Sequence, residues 1–213
     1  MMKNIIEDKR QQLYEAIGLS HLTSEETLRA SRELERFMNF HFRVRNSPAK
    51  GTVRKAAVHS NAITSILEVA SREKLELPFE FNPDLLRHAE WYSIDVIHTL
   101  LLAVSEKYGN EAVESIGEIV PERCIFPQTV QSFEESLQQL NRIFHLNHKS
   151  SAYIGEYLPY TDVKNEMTVF CHTPHYPAAF NRGILAGFAK KFNHSIKLKE
   201  LDLANGGQFK ING

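Results

Sequence analysis

The chain has 213 residues, 25 Lys+Arg against 26 Asp+Glu, 42% hydrophobic and 24% charged residues, and two cysteines. That mix excludes a wholly disordered chain, and a net charge of −1 excludes a surface built throughout for nucleic acid. Cys124 and Cys171 form no disulfide framework, the opening MMKNIIEDKR has no signal-peptide core, and the most apolar stretch, Ile94–Val104, is too short for a membrane span. A soluble, cytoplasmic protein with neither nucleic acid nor membrane as partner is the expectation.

Lys3–Ile17 carries Ile5, Ile6, Leu13, Ala16 and Ile17 at helical spacing, and Gly18 is expected to end the helix as a left-handed C-cap. Thr23-Ser24-Glu25-Glu26 reads as a capping box, Thr23 with Glu26, that opens a second helix reaching about His41. The short connection makes the pair an antiparallel hairpin. The second helix has two stripes. Ala30, Leu34, Phe37 and His41 are assigned to the contact with the first helix. Leu28, Ser31, Glu35, Met38 and Phe42 share a neighbouring face that a two-helix hairpin cannot also bury. That face meets a partner, a second copy in a homodimer, or the rest of the chain; periodicity leaves all three open.

Phe42–Lys55 contains Arg43, Arg45, Lys50, Arg54 and Lys55, no acid, and the turn residues Asn46-Ser47-Pro48 and Gly51. It is read as a basic linker, 46–58, between a hairpin module, 1–45, and a larger domain, 59–213. A solvated loop inside one domain is the alternative. The charge is split accordingly: residues 1–55 hold 11 basic and 7 acidic residues, residues 56–213 hold 14 and 19.

Helices are predicted over His59–Arg72, Pro83–Ala89, Ser93–Tyr108 and Asn110–Ile119. A further helix opens at the capping box Ser132-Phe133-Glu134-Glu135 and carries Leu137, Leu140, Ile143 and Phe144. After Ala152 the pattern becomes strand-like. Ile154–Tyr160 and Met167–His172 flank the turn Lys164-Asn165. Asn181–Phe192 is a helix whose Gly183 and Gly187 permit close packing on a sheet. Ser195–Leu203 and Gln208–Ile211 flank Asn205-Gly206-Gly207. The fold class is therefore α+β: a two-helix hairpin, then a helix-rich domain ending in a ββαββ antiparallel sheet.

Chemistry-bearing residues are sparse. Cys171, His172 and His175 form the densest donor cluster, but structural zinc takes four ligands and Cys124 is distant in sequence, so no metal is assigned. The same residues can be read as a nucleophile with its base, although neighbours on a strand point to opposite faces, which disfavours Cys171 with His172. Arg182 near a helix start is an anion site or an ordinary surface arginine. No P-loop, GxGxxG or GxSxG motif is present.

Two resemblances add to this reading. Ile6-Glu7-Asp8-Lys9-Arg10, Gly18-Leu19, Ser24-Glu25-Glu26-Thr27-Leu28 and Ser31-Arg32-Glu33-Leu34-Glu35 resemble the small aspartyl-phosphate phosphatases of the stage-zero sporulation protein E family, whose signature is Ser-Gln-Glu-Leu-Asp. The resemblance implies docking on a phosphorylated response-regulator receiver domain that carries Mg²⁺. It implies catalytic roles for Glu35 and Ser31 and partner contacts by Leu28, Arg32, Met38 and Phe42. Here Glu35 replaces the signature Asp and Arg32 the Gln. Trp91-Tyr92, Tyr108-Gly109, Ile116-Gly117, Ser132–Leu137, Leu146-Asn147-His148, Cys171–Pro177, Phe180–Gly183 and Gly206-Gly207 resemble an uncharacterised bacterial family related to haem nitric-oxide-binding and 4-vinyl reductase domains. That resemblance implies a pocket for a small-molecule ligand. No Tyr-x-Ser-x-Arg occurs and His98 reads as a core histidine, so haem is set aside and no cofactor is expected in this chain.

The expected function is a signalling regulator that docks on, and dephosphorylates, a receiver, with a C-terminal sensing or dimerising domain. The alternative is a non-enzymatic module whose hairpin packs on its own domain or dimerises. A small-molecule enzyme centred on Cys171 and His175 is the third reading.

Overall fold

The structure, a computed structural model, describes residues 2–46, 56–77, 89–162 and 164–212. The short helix expected from Pro83 and most of the basic linker, Lys50, Arg54 and Lys55 included, lie outside the described residues. The chain divides into two compact units, 1–48 and 49–213.

In the first unit, α1 (Met2–Leu19) and α2 (Glu25–Asn46) form the antiparallel hairpin. Ile5, Ile6 and Ala16 of α1 and Phe37 and Phe40 of α2 are buried, and Ala30, Leu34 and His41 are half-buried. The stripe assigned to the first helix is thus the one it covers. Lys9, only 8% exposed, donates to Glu33 at 2.5 Å and pins one helix to the other.

Two local expectations are corrected. α1 runs through Gly18, which is not left-handed, and ends where the Ser20 amide and hydroxyl both donate to the Ala16 carbonyl, at 3.0 and 2.6 Å. The cap of α2 is Ser24, not Thr23: its hydroxyl accepts from the Thr27 amide at 3.2 Å. Thr27 lies on the buried stripe, and starting the helix one residue later lets its hydroxyl join those of Ser20 and Ser24 under the turn. Burial of the stripe decides between two adjacent capping residues.

The second unit contains six helices and two antiparallel sheets among the described residues. The helices are α3 (Ser60–Glu73), α4 (Ile94–Tyr108), α5 (Asn110–Arg123), α6 (Phe133–Gln138), α7 (Leu140–Leu146) and α8 (Ala178–Lys191). α4 begins at a Ser93 cap and stops at Gly109, φ +84°. The Ser132–Glu135 capping box forms in both directions, at 3.1 and 3.2 Å. The helix it opens does not continue to Phe144; it breaks at Gln139 into α6 and α7, with Leu137, Leu140, Ile143 and Phe144 all buried.

The expected ββαββ order is present. β4 (Glu156–Thr161) pairs with β5 (Met167–His172), α8 follows, and β6 (Lys197–Asp202) pairs with β7 (Gln208–Asn212). The sheet order is β4-β5-β7-β6, which makes β5 and β7 the central strands. A second, three-stranded sheet has no counterpart in the sequence reading: β2 (Trp91–Ser93), β1 (Ala57–His59) and β3 (His148–Lys149), in that order. Strands of two or three residues carry no readable periodicity.

Gly183 and Gly187 pack against a helix, not the sheet. A Cβ on Gly183 would stand 2.1 Å from the Glu114 carbonyl oxygen, and one on Gly187 2.2 Å from that of Glu118. Ion pairs flank this α5–α8 contact, Arg182 to Glu114 and Lys190 to Glu118, each at 2.7 Å.

Candidate functional site

Two places concentrate chemistry. The first is the outward face of α2. Because α1 covers the other side, Leu28, Met38 and Phe42 remain 47%, 43% and 67% exposed. Ser31, Arg32 and Glu35 are exposed between them. Residues three and four apart on a helix are neighbours, so Ser31 and Glu35 stand side by side within an apolar rim. Leu34 of the same motif is half-buried on the stripe that meets α1. Glu33 answers the buried Lys9 and so fixes how α2 is rotated against α1. The motif thus divides into outward residues and residues that orient them.

The second place is a cavity of about 60 Å³ inside the C-terminal unit. α3, α5, α7 and α8 supply its apolar walls, including Val120, Ile143, Phe144, Ile184 and Phe188. β3 brings in His148 and β4 brings in Tyr157; the loop after β5 adds Tyr176. The polar wall groups are already paired. His148 Nδ1 contacts the Phe144 carbonyl at 2.6 Å, and Nε2 contacts the Tyr176 hydroxyl at 2.5 Å. Burial, the larger influence, holds the His148 imidazole down to about 4, against the opposing bond to Phe144. Burial pushes the Tyr176 and Tyr157 phenols well up. Tyr157 donates to Asn181 Oδ1 at 2.6 Å, while Asn181 Nδ2 donates to Thr173 Oγ1 and the Gly206 carbonyl, both at 2.7 Å. The cavity therefore offers neutral, mutually satisfied polar groups and an apolar wall.

The residues singled out in the C-terminal unit are distributed differently. Cys171 is buried in the core, and burial pushes its thiol far up, which withholds the thiolate that a nucleophile or metal ligand needs. Cys124 lines the cavity and is pushed up to about 12 by burial. His172 Nδ1 contacts the Tyr153 hydroxyl at 2.7 Å, and burial lowers its pKa. His175 is buried, its ring 6.3 Å from that of His98. Arg182 is engaged by Glu114 at 2.7 Å and Glu200 at 3.6 Å, so it is a structural cation rather than an open anion site. Among the described residues, no group of three or more His, Cys, Asp or Glu is placed to hold a metal ion. His148 and Tyr176 escape a residue-level reading of the sequence because their pairing spans 28 positions. The only signal is that both lie in segments carrying the second resemblance.

Comparison with known proteins matches the two units to different relatives. Residues 2–39 match the family model described as Spo0E like sporulation regulatory protein. No curated protein matches the chain. Among solved structures, an H-NOX protein from S. oneidensis in the Fe(II)NO ligation state superposes with a TM-score of 0.51 at 10% identity, covering 72% of this chain and 98% of that one. A mutant H-NOX from T. tengcongensis gives 0.53 at 16% identity, covering 72% and 94%. A structure reported on modulating haem redox potential through protein-induced porphyrin distortion gives 0.52 at 15%, covering 72% and 92%. At these identities the likeness is one of fold. The chain joins a segment similar to sporulation regulators to an H-NOX-like fold.

This overturns one expectation. A missing motif is the ground for setting haem aside, yet the solved relatives of this fold include haem domains, so the fold itself gives no such ground. The chain's own residues offer imidazole nitrogens of the kind that bind haem iron. In the described conformation, His148 Nε2 is engaged by the Tyr176 hydroxyl. No helix among the described residues is long and apolar enough to cross a membrane.

Proposed function

We propose that the chain is a signalling regulator whose hairpin docks on a phosphorylated receiver domain and promotes loss of its phosphate, while the C-terminal unit takes a small ligand. The observation that carries this reading is the exposed face of α2: Ser31, Arg32 and Glu35 outward, within the apolar rim of Leu28, Met38 and Phe42. The match of residues 2–39 to a sporulation regulatory family supports it. The chemistry asked of this chain is modest. The receiver supplies the aspartyl phosphate and Mg²⁺. A water oxygen attacks phosphorus as the P–O bond to the aspartyl carboxylate breaks, leaving carboxylate and inorganic phosphate. Glu35 accepts a hydrogen bond from that water and holds it in line, and the Ser31 hydroxyl, one turn away, steadies the same water.

The test is phosphate release from a receiver phosphorylated with acetyl phosphate. Wild-type protein accelerates release. Glu35→Ala lowers the acceleration by roughly a hundredfold, the scale of loss when positioning fails. Its affinity for the receiver stays near that of wild type. No acceleration by wild type rejects the phosphatase. Docking without hydrolysis is the second reading, favoured by Glu35 and Arg32 standing where the signature has Asp and Gln.

For the C-terminal unit, the cavity walls favour a small, uncharged, mostly apolar ligand. Native mass spectrometry of the purified protein tests for a retained molecule. Titration with haemin, followed in the Soret region, decides directly whether this member of the fold takes haem.

A further inference from the structure

We infer that the open end of the hairpin is a second recognition element, a basic groove that takes an acidic helical segment of the same receiver partner. The inference rests on the docking reading and adds a contact that the signature motif does not contain. Lys3, Ile6, Glu7 and Arg10 of α1 face Met38, His41, Phe42 and Arg45 of α2 across a groove of about 660 Å³. Ile6, 8% exposed, gives it an apolar floor, and the exposed Met38 and Phe42 form one wall. The rim is cationic. Lys3 and Arg45 line it beside His41, while Arg10 and Glu7, the one acid in the lining, offset each other in an ion pair at 2.8 Å.

An apolar floor inside a rim of one charge sign accepts an amphipathic helix of the opposite sign. A basic or hydrophilic segment gains nothing there, because the floor stays wet or the rim repels it. Met38 and Phe42 also belong to the outward stripe of α2, so the groove continues the surface that carries Ser31 and Glu35. A receiver seated on that stripe has its flank over the groove, and the rim then steers the encounter and sets its orientation.

Charge changes of opposite sign test this in the full chain, with affinity for the phosphorylated receiver measured by titration calorimetry at low and at high salt. Lys3 and Arg45 are exposed, so their reversal does not disturb the hairpin core. Lys3→Glu with Arg45→Glu weakens binding by about tenfold at low salt, and the difference closes at high salt. Glu7→Lys tightens binding under the same low-salt conditions. Equal affinities at low salt, a loss that persists at high salt, or weakening by Glu7→Lys each overturns the inference and leaves the docking reading standing. Failure of the wild type to bind the receiver overturns both.

Discussion

His148 shows how a single half-buried side chain makes this protein respond to pH. The Phe144 carbonyl only accepts, so Nδ1 carries the proton and Nε2 accepts from Tyr176. Burial then keeps the ring neutral down to about 4, with His145 and His175 nearby pushing the same way. An unfolded histidine titrates near 6.5, roughly, so as pH falls the unfolded chain takes up its proton first. Stability that is present above about pH 6.5 is therefore lost progressively toward about pH 4, by up to roughly 3 kcal/mol from this group. His172, also lowered by burial, adds a loss of the same sign. Urea unfolding curves across that window show the decline, and His148→Gln makes it shallower. Tyr176→Phe leaves the Nε2 lone pair against an apolar wall and costs about 1–3 kcal/mol at neutral pH.

At the scale of elements, glycine has opposite meanings in the two units. α8 lies so close to α5 that Cβ atoms at Gly183 and Gly187 would overlap backbone oxygens. A backbone atom cannot rotate away, so the helices must separate. Gly183→Ala is expected to cost about 3 kcal/mol, read as a lower urea midpoint for the C-terminal unit. Gly18 is the reverse case. It lies inside α1, a Cβ added there would meet nothing within 4 Å, and its backbone is not left-handed. Gly18→Ala is expected to stabilise α1 by up to about 1 kcal/mol, read as slower amide exchange along that helix.

At the scale of the whole molecule, the hairpin is far smaller than the unit that follows it. Residues 1–48 bury a short stripe of Ile5, Ile6, Ala16, Phe37 and Phe40, whereas residues 49–213 bury a core that spans helices and both sheets. Each has its own core, so scanning calorimetry is expected to resolve two transitions, the larger with roughly three times the enthalpy of the smaller. Because anything that binds only the folded form stabilises it, phosphorylated receiver should raise the smaller transition. A single transition insensitive to receiver would contradict both statements.

Much is legible from the chain alone, and for one reason: the signals are local. Apolar spacing marks the two stripes of α2 and which of them α1 covers. Ser93, Gly109 and the Ser132–Glu135 box mark helix ends because caps act within four residues. Alternation and turn residues mark the four strands around α8. What only the tertiary structure decided depends on partners distant in sequence. β1 finds β2 and β3, and through that small sheet His148 reaches the cavity. Arg182 finds Glu114, which turns a candidate anion site into an ion pair. The choice of Ser24 over Thr23 as cap, and the break at Gln139, follow from which side chains the core must bury. A local pattern states what a segment can form; the energy of burying it against a distant neighbour selects which of those forms persists.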